Sequence, residues 1–221
     1  MNIAFAGLTA AGKTTHAKVL AEQLNYEYVS ATEIIADILG LTQAAAPRLW
    51  FTKLGEINAM REASDSLDEE LESRLIQKAR SSDHLVLDTW AMPWISESPA
   101  VNVWIESSFV TRTWKCYVSQ GCSPALDMLE CSALVADKDE TTRQIFMRRH
   151  GFDLFTDKGP FQVIVDNTTL LSAPTHEACQ RGIAAFAPQV LDAVTTALKR
   201  PSRLHPRPTT TEEDLLGGSV A

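Results

Sequence analysis

The amino-acid sequence predicts a three-layer α/β fold around a parallel sheet, and three features predict it. An apolar, strand-like run, Asn2-Ile3-Ala4-Phe5-Ala6, passes directly into a glycine-bounded loop and then into a helical pattern. Five short apolar runs recur along the chain with helical segments between them, as in a parallel sheet covered on both faces. At 221 residues, 45% of them apolar, the chain suffices for one sizeable domain of this kind and is marginal for two.

The loop comes first and carries the chemistry. Gly7-Leu8-Thr9-Ala10-Ala11-Gly12-Lys13-Thr14 fits G-x-x-x-x-G-K-[ST], the P-loop pattern, in the required order of strand, loop and helix. Its glycines let the backbone wrap a phosphate, and amides at the helix N-terminus point at the phosphate oxygens. The expected nucleotide-binding residues are therefore Gly7, Leu8, Thr9, Ala10, Ala11, Gly12, Lys13, Thr14 and Thr15. Lys13 is expected to reach the β- and γ-phosphates, and the Thr14 hydroxyl to ligate Mg²⁺. The helix follows from Ala17, Leu20, Ala21 and Leu24, which share one face.

A second strand, Tyr26-Glu27-Tyr28-Val29, runs into Ser30-Ala31-Thr32-Glu33, which has the spacing of a capping box. The end of a parallel strand beside a P-loop is also where ligands bind in open α/β sheets. From about Thr42 to Arg80 the pattern is helical, with Ser66 and Glu69 at capping-box spacing and Leu67, Leu71 and Leu75 as a stripe. The third strand, His84-Leu85-Val86-Leu87-Asp88, ends in a carboxylate, which makes Asp88 the leading candidate for a Mg²⁺-associated acid; a loop-capping role stays open. Residues Val101 to Glu106 and Phe161 to Asp166 supply the fourth and fifth strands.

Between these last two lies a long helical stretch, opening at Ser123-Pro124 and continuing through Leu126, Leu129, Ala133 and Leu134. It ends in a charged block holding Lys138, Arg143, Arg148 and Arg149. Arg143, Arg148 and Arg149 are either solvated helix-face charges or a phosphate clamp, and a P-loop upstream shifts the balance toward the clamp, because phosphoryl transfer needs cations on the developing charge.

Composition removes other classes. Twenty basic against 28 acidic residues leave a net charge of −8 with no long basic run, so nucleic acid is not an expected partner. No stretch approaches the roughly 20 apolar residues of a spanning helix, and no secretory signal opens the chain, so a cytoplasmic protein without membrane partners is expected. Cys116, Cys122, Cys131 and Cys179 lack metal-site spacing and read as thiols. Residues 201–221, rich in proline, threonine and glycine, read as a disordered tail.

The order of parts resembles the cytidylate kinase branch of the nucleoside monophosphate kinases, especially the short archaeal-type enzymes, over about residues 1 to 198. The matching residues are Gly12-Lys13-Thr14, the Leu85-Val86-Leu87-Asp88-Thr89-Trp90 strand and turn, and Lys138-Asp139-Glu140-Thr141 with Arg143. His150-Gly151-Phe152-Asp153 and Val163-Ile164-Val165-Asp166-Asn167-Thr168 complete the match. The resemblance implies a kinase domain over 1–200, with a helical acceptor-binding insertion at about 31–80 and a helical lid at about 138–160. It also implies ATP with Mg²⁺ as donor, Lys13, Arg143 and Asp88 as catalytic residues, and Thr14 and Asp88 as metal ligands. Arg148 and Arg149 carry over only weakly. The chain departs from the family at Asp88-Thr89-Trp90, where the family reads acid-Gly-Arg and the arginine holds the acceptor. Arg48, Lys53 or Arg61 could replace that guanidinium, and Trp50, Trp90 and Trp94 are either core or lid packing or an aromatic floor for a flat acceptor.

Two kinase readings follow. In the first, the acceptor is CMP, dCMP or a modified cytidylate, and no general base is needed because the acceptor phosphate is already ionised. In the second, the acceptor is a hydroxyl on a small metabolite and Asp88 is the base. A non-catalytic nucleotide-binding module is the third, against which the intact Lys13 and Thr14 speak. Monomer is the default expectation.

Overall fold

The computed structural model describes residues 1–42, 49, 53–122 and 127–200. The expectations placed on Arg48, Trp50, Ser123, Pro124, Leu126 and the 201–221 tail lie outside these residues. Strands β1 (Asn2–Ala6), β2 (Glu27–Ser30), β3 (Leu85–Asp88), β4 (Ala100–Glu106) and β5 (Val163–Asp166) form one sheet in the order β2-β3-β1-β4-β5. Every pairing is parallel, as the alternation of strands and helices predicts.

Helices cover both faces because β1 and β3 are apolar on both. Ile3 and Phe5 pack toward α1 (Lys13–Leu24) and α8 (His176–Leu198), among Ala17, Leu20, Phe186 and Val190. Ala4 and Leu87 face the opposite way, against Leu75 and Ala79 of α4 (Ser66–Ser81) and Met92 of α5 (Met92–Ile95). Buried Asn2 fixes the height of this layer: its Nδ2 donates to the Ala79 and Ser82 carbonyls, while its Oδ1 accepts from the Leu85 amide.

The helix starts follow local chemistry, with one correction. Ser30 caps α2 (Ala31–Ile38), its Oγ accepting from the Glu33 amide at 3.3 Å. Ser66, expected as a cap, is instead the first residue of α4; Asp65 takes the cap position without a side-chain hydrogen bond. The long helix α7 (Met128–His150) begins with a reciprocal capping box between Asp127 and Glu130. Gly151 closes it in the left-handed region at φ 73°. Helix α3 (Leu54–Ala63) lies beside α4, and α6 (Phe109–Ser119) packs on α7. No described helix is long and apolar enough to cross a membrane.

Candidate active site

The loop between β1 and α1 adopts the phosphate-binding shape because two glycines permit it. At Gly7, φ is 149° and a Cβ would stand 2.7 Å from the Ile105 carbonyl oxygen, so the loop can cross β4 only without a side chain. Gly12 turns the chain into α1 at φ 103°. Between them Ala10 sits at φ 60°, a conformation unfavourable for a residue with a Cβ.

A cleft of about 560 Å³ opens above the carboxyl ends of the strands. The sheet order divides its walls. On the β2–β3 side stand Ser30, Thr32 and Glu33, then Arg61, Asp68, Leu71 and Glu72 from α3 and α4. On the β4–β5 side stand Lys115, Cys116 and Ser119 of α6, Asn167 and Leu170 after β5, and His176, Gln180 and Ile183 of α8. The loop residues Thr9, Ala10, Gly12, Lys13, Thr14 and Thr15 lie between and line both; Gly7, Leu8 and Ala11 shape the loop from beneath.

Lys13 is buried and donates to the Gly7 and Leu8 carbonyls at 2.7 and 3.0 Å. Burial pushes its ammonium down to about 8, against the opposing pull of Asp88 and Asp139. Thr14 Oγ1 donates to Asp88 Oδ2 at 2.6 Å, and the Tyr28 hydroxyl donates to the same oxygen at 2.9 Å. The expected hydroxyl and carboxylate are therefore brought together at the foot of the loop. Oxygen donors of this kind, completed by phosphate and water, suit a hard divalent cation.

Arg143 is not brought into the cleft. Its guanidinium makes a bidentate pair with Asp153 at 3.0 and 2.8 Å and lies over the Phe155 ring, 37% exposed. The reason is helical phase. Lys138, Thr142 and Phe146 recur at four-residue intervals and face the cleft, whereas Arg143 is about 100° further round. Arg143→Ala is expected to change kcat/KM by less than about fivefold, as for an exposed ion pair, in a steady-state assay.

Lys138 takes the inward position. It is 8% exposed, its Nζ is 5.3 Å from the centroid of the Trp90 ring, and Lys13 Nζ is 5.0 Å from that same centroid. Burial, together with the charges of Lys13 and Arg61, holds the Lys138 ammonium well below the usual lysine range. Arg61, also buried, is gripped by both Asp68 oxygens at 3.1 and 3.0 Å and reaches Thr142 of α7 at 3.4 Å. Of the candidates to replace the family arginine, Arg61 thus lies in the cleft, whereas Lys53 pairs with Glu56 away from it.

The other expected cations pair between helices. Arg149 pairs with both Glu72 oxygens at 2.7 and 2.8 Å, and Arg148 with Asp65, joining the end of α7 to α4. Trp94 is core: it stacks on Phe152 at 4.4 Å and meets Trp104 edge-on at 6.2 Å. The cysteines are free thiols.

Several site residues escape sequence reasoning. Asp139, Arg112, Lys115 and Asn167 hold the loop from behind. Asp139 accepts from the Thr9 amide at 2.8 Å; Lys115 and Asn167 donate to the Ala11 carbonyl at 3.2 and 2.9 Å. The available signal is weak: Arg112 and Lys115 stand one turn apart on an otherwise amphipathic helix.

A parallel sheet in this order, with a P-loop at its centre and a hydroxyl–carboxylate pair at the loop's foot, defines a P-loop kinase of the α/β class. More particularly, the chain belongs to the cytidylate kinase-like family, whose profile matches residues 2–169. Curated relatives include the cytidylate kinase of Halobacterium salinarum, 27% identical over 147 residues, 65% of this chain and 70% of that one. That of Natronomonas pharaonis is 23% identical over 192 residues, 85% and 92% of the two chains. Among solved structures, the shikimate kinase of Acinetobacter baumannii in complex with shikimate superposes with a TM-score of 0.52 at 16% identity. It covers 90% of this chain and 95% of that one, a likeness of fold.

Proposed function

We propose that the protein is an ATP-dependent nucleoside monophosphate kinase whose acceptor is CMP, dCMP or a modified cytidylate. The observation that carries this reading is the convergence of Lys13, Lys138 and Arg61 on the β2–β3 side of the loop, with the two lysine ammoniums 5.0 and 5.3 Å from the Trp90 ring centroid. Cations on the transferring group serve either acceptor class, but a cluster of this size also suits an acceptor that brings its own phosphate, dianionic near neutral pH.

In this reading the loop amides and Lys13 hold the donor phosphates. Thr14 and Asp88 would hold Mg²⁺, which draws charge from the phosphates when bound. Lys138 and Arg61 hold the acceptor phosphate in line and take the negative charge that develops during transfer. No side chain removes a proton, because the attacking oxygen is already ionised. The Thr14–Asp88 pair fits the metal role because the Thr14 hydroxyl turns its proton to Asp88 Oδ2, which leaves the Thr14 oxygen lone pairs for a cation beside the carboxylate.

The second reading, phosphorylation of a metabolite hydroxyl with Asp88 as base, is favoured by one feature, the indole at position 90 where the family reads arginine. One experiment separates them: ADP release from Mg-ATP against CMP, dCMP, UMP, AMP, shikimate and further hydroxylated metabolites, with Lys13→Ala as control. Lys13-dependent turnover of a cytidylate is the expected result. Turnover with hydroxyl acceptors alone would overturn the first reading in favour of the second.

A further inference from the structure

The phosphate-binding loop is held at three points by groups that need not touch a substrate. Asp139 Oδ1 accepts from the Thr9 amide at 2.8 Å, and its Oδ2 accepts from Arg112 Nη1 at 2.5 Å. The same Arg112 nitrogen donates to the Thr9 carbonyl at 3.0 Å, so both backbone groups of one residue are locked in a closed ring of hydrogen bonds. Asp139 and Arg112 are 3% and 5% exposed, in surroundings where such bonds are strong. Two residues on, the Ala11 carbonyl accepts from Lys115 and from Asn167. Between these two holds lies Ala10, at φ 60°.

An alanine does not stay in the left-handed region without cause, and strained backbone persists where its surroundings over-determine it. The holds come from α6, from α7 and, through Asn167, from the turn after β5, and α7 also carries Lys138, the neighbour of Asp139 in sequence. We infer that Asp139, with Arg112, is a positioning residue: it keeps Ala10 left-handed so that the loop stands ready for a nucleoside diphosphate, and it fixes Lys138 of the same helix against the loop. This rests on the loop as donor-phosphate site, not on which acceptor is used.

Glycine at position 10 tests it, because glycine takes the left-handed conformation without steric cost. Removing both charges together, Arg112→Met with Asp139→Leu, avoids leaving one buried charge unpaired. ADP binding is measured by calorimetry, with folding checked by thermal melting. The double substitution is expected to weaken ADP binding by about tenfold, the scale of a left-handed alanine released. Adding Ala10→Gly to that background is expected to recover roughly fivefold, against a shift of less than about twofold from Ala10→Gly in the unchanged protein. A merely structural pair gives no such background-dependent rescue. The inference is overturned if Ala10→Gly acts equally in both backgrounds, or if the double variant binds ADP as the unchanged protein does.

Amide hydrogen exchange on the unchanged, ligand-free protein keeps the test independent of folding of the variant and of the donor reading. The Thr9 amide is expected to be protected by about a hundredfold or more. Exchange at the unprotected rate would remove the clamp altogether, while failure of the unchanged protein to bind ADP, with Thr9 protected, would count against the donor reading alone.

Discussion

Lys13→Met is expected to lower kcat by about three orders of magnitude, the scale seen when a cation on a transferring phosphoryl group is removed. Met preserves much of the stem that packs beneath the loop and deletes the charge. It should not lower the melting temperature. The folded protein holds the Lys13 ammonium down to about 8 from an ordinary 10.5, so carrying that charge costs the fold about 3 kcal/mol at neutral pH. A lysine kept at a cost to stability is what a functional charge predicts. The sign of the pH dependence follows. The depressed value means the unfolded chain binds more protons between about 8 and 10.5, so this group's contribution to stability is complete above 10.5 and is lost as pH falls through 8. For ligand binding the direction reverses. Above about 8 the ligand-free lysine is neutral and a bound diphosphate recharges it, so ADP binding should take up a proton and weaken with rising pH. Calorimetry in buffers of different ionisation enthalpy reads that proton, which should be absent at pH 7 and in Lys13→Met.

Much of this arrangement is legible in the chain because it is local. Asn2 to Thr14 states a strand, a turn and a helix start within 13 consecutive residues, and each step has its own steric requirement. Leu85 to Asp88 states a buried strand ending in an acid, and the observed register puts Asp88 beside Phe5 at the mouth of the loop. What escapes is phase and distance. Arg143 and Lys138 are equally basic in the sequence, and only the turn of α7 decides that Lys138 enters the cleft while Arg143 meets Asp153. Ser66 has the right neighbour for a capping box but begins one residue inside the helix. The clamp on Thr9 joins residues more than 100 positions apart in sequence, and neither the family match at Asp139 nor the spacing of Arg112 and Lys115 says that they meet the loop. Trp90 and Trp94 look alike on the page, yet one lines the cleft and the other stacks inside the aromatic core.

Lys138→Met is expected to lower kcat by roughly a hundredfold while raising the Mg-ATP KM by less than about threefold, because the lysine stands on the acceptor side of the loop. The acceptor KM should rise with the loss of kcat, since the same ammonium would hold the acceptor phosphate before transfer and the developing charge during it. Lys138→Arg is the discriminating companion. If the position only needs a cation, arginine restores most of the rate; if the space beside Trp90 is shaped for an ammonium, the broader guanidinium restores affinity for the acceptor without restoring kcat. Both outcomes differ from that of a structural lysine, whose loss would appear in the melting temperature and not in the ratio of the two KM values. The burial that depresses Lys138 makes its removal tolerable to the fold, by the same sign as for Lys13, and the variant should melt no lower than the unchanged protein. A fall in kcat of less than about threefold for Lys138→Met, with Arg143→Ala now costing a hundredfold, would reverse the assignment of the two residues and mean that α7 turns during turnover.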